Sequence, residues 1–315
     1  MKPRGVENTH LGKANLKSKF FAVVNPAAGG GRCGKLAPAA IDGLRRAGLT
    51  LEVATSTYPG HGTKLAAEAY AAGHRNFVAV GGDGTSYEIV NGIFSNELSG
   101  QRPALGFLPL GTGNSFLKDF TSNAAEDAAA ALTNGKWRHS DLLRLVHENG
   151  EIYSINLVTL GFAADVAALA NRRFKRLGEL GYIMAVMVSL ARLDRRAFPL
   201  RTDSNPDFDR RPCLFLSFNN SKFTGGKMMI APNASPEDGL IEYVRWGPIG
   251  RLGLIRNFPT LFDGTHVRHP LAARSPQTAI EFEMSGPDNV SVDGESLWLR
   301  CQRIEIIPAA LDVLI

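Results

Sequence analysis

The stretch that most constrains this chain is Phe77 to Glu88, FVAVGGDGTSYE. Phe77, Val78, Ala79 and Val80 form a short apolar run that predicts a buried strand. The run enters Gly81-Gly82-Asp83-Gly84-Thr85, and Tyr87, Ile89, Val90 and Ile93 then fall at helical spacing. Strand, glycine turn and helix start together present bare backbone N–H groups to an anion. Gly81, Gly82 and Gly84 allow positive φ and let a phosphate approach with no Cβ in the way. The Asp83 carboxylate would be repelled by phosphates alone, so it makes sense facing Mg²⁺ or a hydroxyl about to lose its proton. A plain strand-to-helix turn uses the same letters, and the rest of the chain has to decide.

Three further strand-and-helix alternations surround this one. Lys19 to Val24 predicts a strand ending in Asn25-Pro26-Ala27-Ala28-Gly29-Gly30-Gly31-Arg32, followed by a helix with Leu36, Ile41 and Leu44 on one face. Leu49 to Thr55 predicts a second strand, with Ser56 and Thr57 at its end and a helix over Thr63 to Ala72. Ala104 to Leu108 predicts a fourth strand, entering Pro109-Leu110-Gly111-Thr112-Gly113-Asn114. Such alternation predicts a parallel sheet with helices on both faces, and ligands bind such sheets beyond the carboxyl ends of the strands. Three of the four strands carry a Gly- and Asn-rich loop at that end, which points to a phosphate or nucleotide site.

Several classes are excluded. There is no GxxxxGK[ST], no correctly placed GxGxxG and no HRD or DFG pair. A net charge of +5 on 315 residues is too even for nucleic acid but suits acidic small molecules or an anionic membrane surface. Cys33, Cys213 and Cys301 are far apart with no metal spacing, so reduced thiols are expected. Met1 to Ser18 has no apolar core of a secretory signal, and Tyr182 to Leu193 is too short to span a bilayer.

After Trp137 the pattern changes. Asp141 to Val146 and Glu151 to Leu157 predict a hairpin, and Gly161 to Arg196 a helical segment in two parts meeting near Gly178 or Gly181. Asp203 to Arg211 reads as a polar loop. Short strand-like runs follow at Leu214 to Phe218, Met228 to Ile230, Leu240 to Arg245, Thr278 to Met284, Val290 to Val292, Leu297 to Cys301 and Arg303 to Ile307. They predict an antiparallel sandwich as a second domain. Arg172, Arg173, Lys175 and Arg176 precede the apolar run from Tyr182, and Arg192, Arg195 and Arg196 follow it. A segment of that kind suits an anionic lipid surface. His61, His266 and His269 show no ligand spacing and read as structural or solvent-facing.

NPAAGGGR (25–32), GGDGTSYEIVNG (81–92) and PLGTGNSF (109–116) resemble the three motifs of the diacylglycerol kinase catalytic domain family, which includes sphingosine and ceramide kinases and the soluble bacterial lipid kinases. GFAADV (161–166), GGKMMIAPNASPEDGLIEY (225–243) and VDGE (292–295) follow in the family's order. GGDGT alone is shared with NAD kinases and phosphofructokinases; the ordered set is specific. The resemblance implies an α/β plus all-β fold, with a doubly wound parallel-sheet nucleotide domain of NAD kinase/phosphofructokinase type over 1–138 and a β-sandwich over 139–307. A last strand, about 308–315, returns to the first domain. Nothing resembles the regulatory zinc-finger modules of the large eukaryotic enzymes.

The resemblance implies transfer of the γ-phosphate of ATP, with Mg²⁺, to a lipid hydroxyl. Gly81, Gly82, Gly84 and Thr85 are expected to hold the phosphates, with Thr112 and Asn114 in the PLGTGN loop as further contacts. Asn25 and Ser56 or Thr57 are expected near the nucleoside, and Asp83 in the magnesium network. Glu295 is expected to take the lipid hydroxyl's proton, with Asp293 sharing that work across Gly294. A structural metal carried over from the bacterial relatives would take the carbonyls of Ser235 and Leu240 and the carboxylate of Asp238. Diacylglycerol is the first acceptor; a sphingoid base or other long-chain lipid, a soluble NAD-kinase-like reaction and a non-catalytic lipid binder stand behind it. A cytoplasmic protein touching the inner face of the membrane peripherally is expected, with no nucleic acid partner. Oligomeric state is open, a homodimer among the options.

Overall fold

The computed structural model describes residues 19–98, 100–121, 124–134, 137–174 and 178–315. The first part is built as expected from β1 (Lys19–Val24), α1 (Arg32–Arg46), β2 (Thr50–Thr55), α2 (His61–Ala71), β3 (Asn76–Gly81), α3 (Asp83–Phe94), β4 (Ala104–Pro109) and α4 (Ala124–Asn134). The four strands are parallel in the order β2-β1-β3-β4. Their period-2 alternation feeds two cores. Phe21, Val23, Phe77, Ala79 and Phe107 face α2 and α3, while Phe20, Ala22, Val78, Val80 and Leu108 face α1. Both faces are covered, which is why the strands read as continuous apolar runs.

The second part contains β5 (Trp137–His147), β6 (Gly150–Ser154), β7 (Leu157–Gly161), α5 (Phe162–Leu169), α6 (Gly178–Ala191), β8 (Leu200–Thr202), β9 (Asn205–Asp209), β10 (Phe215–Asn219), β11 (Phe223–Thr224) and β12 (Met228–Met229). It continues with β13 (Ile241–Trp246), α7 (Arg251–Asn257), α8 (Thr260–Asp263), β14 (Ala272–Gln277), β15 (Ala279–Phe282), β16 (Asp288–Val292), β17 (Glu295–Leu299) and β18 (Cys301–Leu314). A six-stranded antiparallel sheet, β14-β13-β10-β7-β16-β17, forms one layer of a sandwich. Its Val158, Leu160, Phe218, Val290 and Val292 pack against Leu143, Leu145, Ile280 and Ile304 of the facing layer.

That facing layer is not separate from the first sheet. β18 pairs in parallel with β4 through Asp312 and Val313, and antiparallel with β5 and β15 through residues 303–307. One ten-stranded sheet therefore runs through both parts. The tail expected to return to the first domain is the far end of a single long strand. It bends at Pro308-Ala309, where Ala309 has φ 49 and the register with β5 shifts. The buried Asp141 carboxylate takes the Ala309 N–H at 2.7 Å and the Gly239 N–H at 2.7 Å, pinning the bend to the 236–240 loop.

Three sequence expectations change. The polar stretch from Asp203 contains β9, hairpin partner of β8, because an exposed outer strand needs little apolar character. Residues 272–277 (AARSPQ) form edge strand β14, a segment with no strand-like run. The helical segment after Gly161 is interrupted by a π-helical turn, Ala170–Phe174. Lys175 and Arg176 lie outside the described residues. No helix among the described residues is long and apolar enough to cross a membrane.

Candidate active site

The loops after β1, β3 and β4 meet backbone to backbone. The Gly111 N–H donates to the Gly81 carbonyl at 2.7 Å, and Gly82 and Gly111 pack so closely that a Cβ on Gly111 would lie 2.4 Å from the Gly82 Cα. Arg32, at the start of α1, donates to the Gly111 carbonyl at 2.6 Å and ties the first loop to the third. Gly29, at φ 62, approaches the Leu110 carbonyl. This contact explains the glycines: any side chain at 82 or 111 would separate two loops that have to touch.

Asp83 begins α3, and its Oδ1 accepts the Ser115 N–H at 2.8 Å. Burial pushes this carboxyl up, opposed by its bonds to Ser115 and Phe116 and by Lys118. Asp83 therefore links the second loop to the third as well as lining the cleft. The Thr85 Oγ1 is buried and has no partner among the described residues; a Cβ at Gly81 would lie 2.2 Å from it. A buried hydroxyl left unpaired at a helix N-terminus is suited to receiving an anion's oxygen. Asn114 adopts φ 47 and its side-chain amide donates to the Pro109 carbonyl at 3.4 Å, so it shapes its own loop; Thr112 lies beside Gly82 on the same loop. The Asn25 Oδ1 accepts the Ala27 N–H at 3.1 Å and closes the first loop. Ser56 is buried at the end of β2, and Thr57 bonds through its N–H and its hydroxyl to His61 Nδ1.

The sandwich delivers Glu295. Asp293 (φ 50) and Gly294 (φ 89) form the two-residue turn between β16 and β17, with Val292 paired to Glu295. Both turn residues need positive φ, which Asp-Gly supplies. The turn sets Glu295 at the N-terminus of α3, where a Cβ on Gly84 would be 3.0 Å from Glu295 Oε1. Asp293, expected to share the proton-accepting work, faces the other way. Its carboxylate accepts from the Ser154 hydroxyl and from the N–H groups of Ile155, Asn156 and Leu157. Burial raises its pKa to about 6 against these bonds. These four bonds hold the turn in place and direct the Asp293 carboxylate to the 154–157 segment.

Sequence reasoning missed the residues that join the two parts. The Gly226 N–H donates to Ser115 Oγ at 3.0 Å, and the Lys222 N–H to the buried Asp119 carboxylate at 3.0 Å. Asn171, in the π-helical turn, donates to the Gly294 carbonyl and to Ser296 Oγ, each at 3.1 Å. These are isolated polar residues with no spacing to mark them; only Asp141, an acid inside an apolar strand, carried a signal.

Two cavities matter. One, of about 240 Å³, is walled by Phe162, Val166, Val186, Leu254, Phe258 and Leu261 and reaches Ser291 and Gly294 at the Glu295 turn. The other, of about 300 Å³, is lined by Ser235, Asp238 and Leu240 together with Glu242 and Arg274. The Asp238 carboxyl is raised by burial and by Asp141 and Glu242 nearby, and it accepts the Leu240 N–H at 3.0 Å. Arg274 in this pocket is paired with Glu242 at 2.9 Å, and the Asp238 carboxylate, with no basic partner among the described residues, is the group there that suits a hard divalent cation. No cluster of three or more His, Cys, Asp or Glu side chains occurs among the described residues.

Comparison with known proteins gives concordant matches. Residues 19–145 match the diacylglycerol kinase catalytic domain, and residues 156–315 match the YegS C-terminal NAD kinase beta sandwich-like domain. A diacylglycerol kinase of Mycobacterium tuberculosis is 31% identical over 299 residues, covering 94% of each chain. The crystal structure of a diacylglycerol kinase from Bacillus anthracis str. Sterne superposes with a TM-score of 0.69 at 20% identity, covering 96% of this chain and 98% of that one.

Proposed function

The chain belongs to the diacylglycerol kinase/YegS-like lipid kinase family, and we propose that it transfers the γ-phosphate of MgATP to the hydroxyl of diacylglycerol, giving phosphatidic acid. The observation that carries this reading is the approach of Glu295 to Gly84, with an apolar cavity opening beside the same turn. Phosphoryl transfer needs positioned phosphates and an oriented hydroxyl more than covalent help. The loops joined at Gly82 and Gly111 offer backbone N–H groups and the unpartnered Thr85 hydroxyl to the phosphates. Glu295 accepts the proton of the attacking hydroxyl, and Asp293 and Asn171 fix the turn that aims it. Asp83 is the side chain that would hold Mg²⁺, and the ion would supply neutralisation of phosphate charge there. Ser235, Asp238 and Leu240 would hold a second, structural cation away from the reaction.

The acceptor reaches the cavity from a membrane. α6, α7 and α8 each contribute a side chain to the cavity wall and each carry exposed apolar residues: Leu252 is 84% exposed and Met187 60%, and Met184, Ile255 and Phe262 are exposed as well. Arg172 and Arg173 precede α6 in the chain, Arg192 and Arg195 follow it, and all four are exposed, as suits an anionic surface. Arg196 does not join them, being held between Asp165 and Asp288.

The test is transfer of labelled γ-phosphate from ATP into mixed micelles carrying diacylglycerol, a sphingoid base or neither, with NAD⁺ in a parallel reaction. Label in phosphatidic acid supports the reading. Label in the sphingoid product moves the acceptor within the class, and label in NAD⁺ alone overturns it.

A further inference from the structure

We propose that Thr159 and Ser291 form an acceptor subsite that reads the ester carbonyls of a glycerolipid; the proposal rests on the lipid-kinase reading above. Thr159 of β7 and Ser291 of β16 are directly paired. Their neighbours Val158, Leu160, Val290 and Val292 point into the core between the two sheets. By the alternation of strands, Thr159 and Ser291 therefore share the opposite face, the one covered by the helices that wall the 240 Å³ cavity, and both residues line it.

That face is buried: Thr159 is 5% exposed and Ser291 4%. A third hydroxyl in the row, Ser217 of β10, stands opposite Thr159 and is satisfied by the Asn219 side chain. Thr159 and Ser291 have no side-chain hydrogen-bond partner among the described residues. Leu157 and Phe215 show that apolar side chains suit this face. Two hydroxyls that open onto the cavity with no protein partner are placed to donate to an acceptor that enters it.

Their position says what that something is. Ser291 is two residues before the Asp293-Gly294 turn, and Gly294 itself lines the cavity, so the hydroxyls stand at the cavity end nearest the turn that carries Glu295, whose side chain leaves the turn on the Val292 side. A lipid whose alcohol is held at Glu295 brings the groups on its adjacent carbons to this end. In a glycerolipid those groups are acyl esters, whose carbonyl oxygens accept from Ser and Thr hydroxyls. No ionisable side chain is among the described residues lining the cavity, so the ammonium of a sphingoid base would find no counter-charge there.

The test compares dioleoylglycerol with its dialkyl ether analogue, which keeps the hydroxyl and the chains and lacks both carbonyls. Both are presented in the same mixed micelles to the wild-type protein, Thr159→Val, Ser291→Ala and Thr159→Ser. Wild type is expected to prefer the ester about ten-fold in kcat/KM, and Thr159→Val or Ser291→Ala to reduce that preference about three-fold each, within the range of one neutral hydrogen bond. Thr159→Ser, which keeps the hydroxyl, should restore it, and this separates recognition from a folding defect. Equal wild-type turnover of both lipids, or a preference that survives both substitutions, overturns the subsite and leaves the kinase standing. No label in either lipid overturns the diacylglycerol reading and the subsite together.

Discussion

Glu295 Oε1 occupies the space in front of Gly84, so that the first turn of α3 and a hairpin of the sandwich share one contact. The two residues are 211 positions apart in the chain. Gly84 sits inside α3, where alanine would be the better helix former by about 1 kcal/mol. Gly84→Ala should therefore keep or raise the melting temperature while displacing the Glu295 carboxylate. We expect kcat to fall about 100-fold, as for a small misplacement of a reacting group. Lost activity at unchanged stability is the expected pair of readings; normal kcat would remove Glu295 from the chemistry.

Glu295→Gln keeps the shape and removes the base. The expected fall in kcat is roughly 10²–10⁴, with little change in either KM. An effect mainly on the lipid KM would make Glu295 a binding residue instead.

Asp83→Asn separates the two jobs of that side chain. The Asn carbonyl can still accept the Ser115 N–H, so the loops stay joined and the protein should melt close to wild type. Loss of the charge that would hold Mg²⁺ should lower turnover by on the order of 10³. Turnover near wild type would leave Asp83 a purely structural link.

Asp293→Asn should act on stability first. Asparagine tolerates the positive φ of 50, so backbone strain is not introduced. Its NH₂ group would meet N–H and O–H donors that now share two carboxylate oxygens, at a cost of about 1–3 kcal/mol for each donor left unpaired. Urea unfolding should show the loss. Full stability with lost turnover would mean that Asp293 takes part in proton transfer after all.

His266 provides a pH signature. It is buried between the Ile230 carbonyl, 3.1 Å from Nε2, and the Thr260 carbonyl, 3.3 Å from Nδ1. Burial holds its pKa below the ordinary 6.5, with Asp263 and the two carbonyls pulling the other way. The unfolded chain therefore binds this proton at higher pH than the folded one. Its contribution is fully present above about pH 6.5 and is lost as pH falls below it, by at most about 1.4 kcal/mol per pH unit. Asp293, raised to about 6, works in the opposite sense over part of this range. The measurement is thus the difference in urea midpoint between wild type and His266→Gln at pH 7.5 and 5.5. It should shrink at the lower pH; a difference independent of pH would mean that His266 is not buried neutral.

Much of this protein is legible in its residues because the information is local. The β1–β4 strands, the Gly29-Gly30-Gly31 loop and the Asp-Gly hairpin follow from short apolar runs and from residues that tolerate positive φ, and neither depends on distant contacts; Gly81, Gly82 and Gly84 do not take the positive φ expected of them. Gly81-Gly82-Asp83-Gly84 is thus placed at a strand end and helix start by its neighbouring residues alone. The loops' mutual contact at Gly82 and Gly111 is not legible, since glycines left bare for a phosphate and glycines left bare for another backbone look alike. β9 and β14 escape a sequence reading because edge strands need no apolar alternation, and β18 reads as two strands because its bend is stabilised from outside by Asp141. The division of labour between Asp293 and Glu295 is equally hidden. Two acids flanking one glycine are chemically equivalent on paper. Only the fold, by turning one toward the N–H groups of 155–157 and the other toward Gly84, makes one an anchor and leaves the other free, because hydrogen-bond partners are assigned by three-dimensional position.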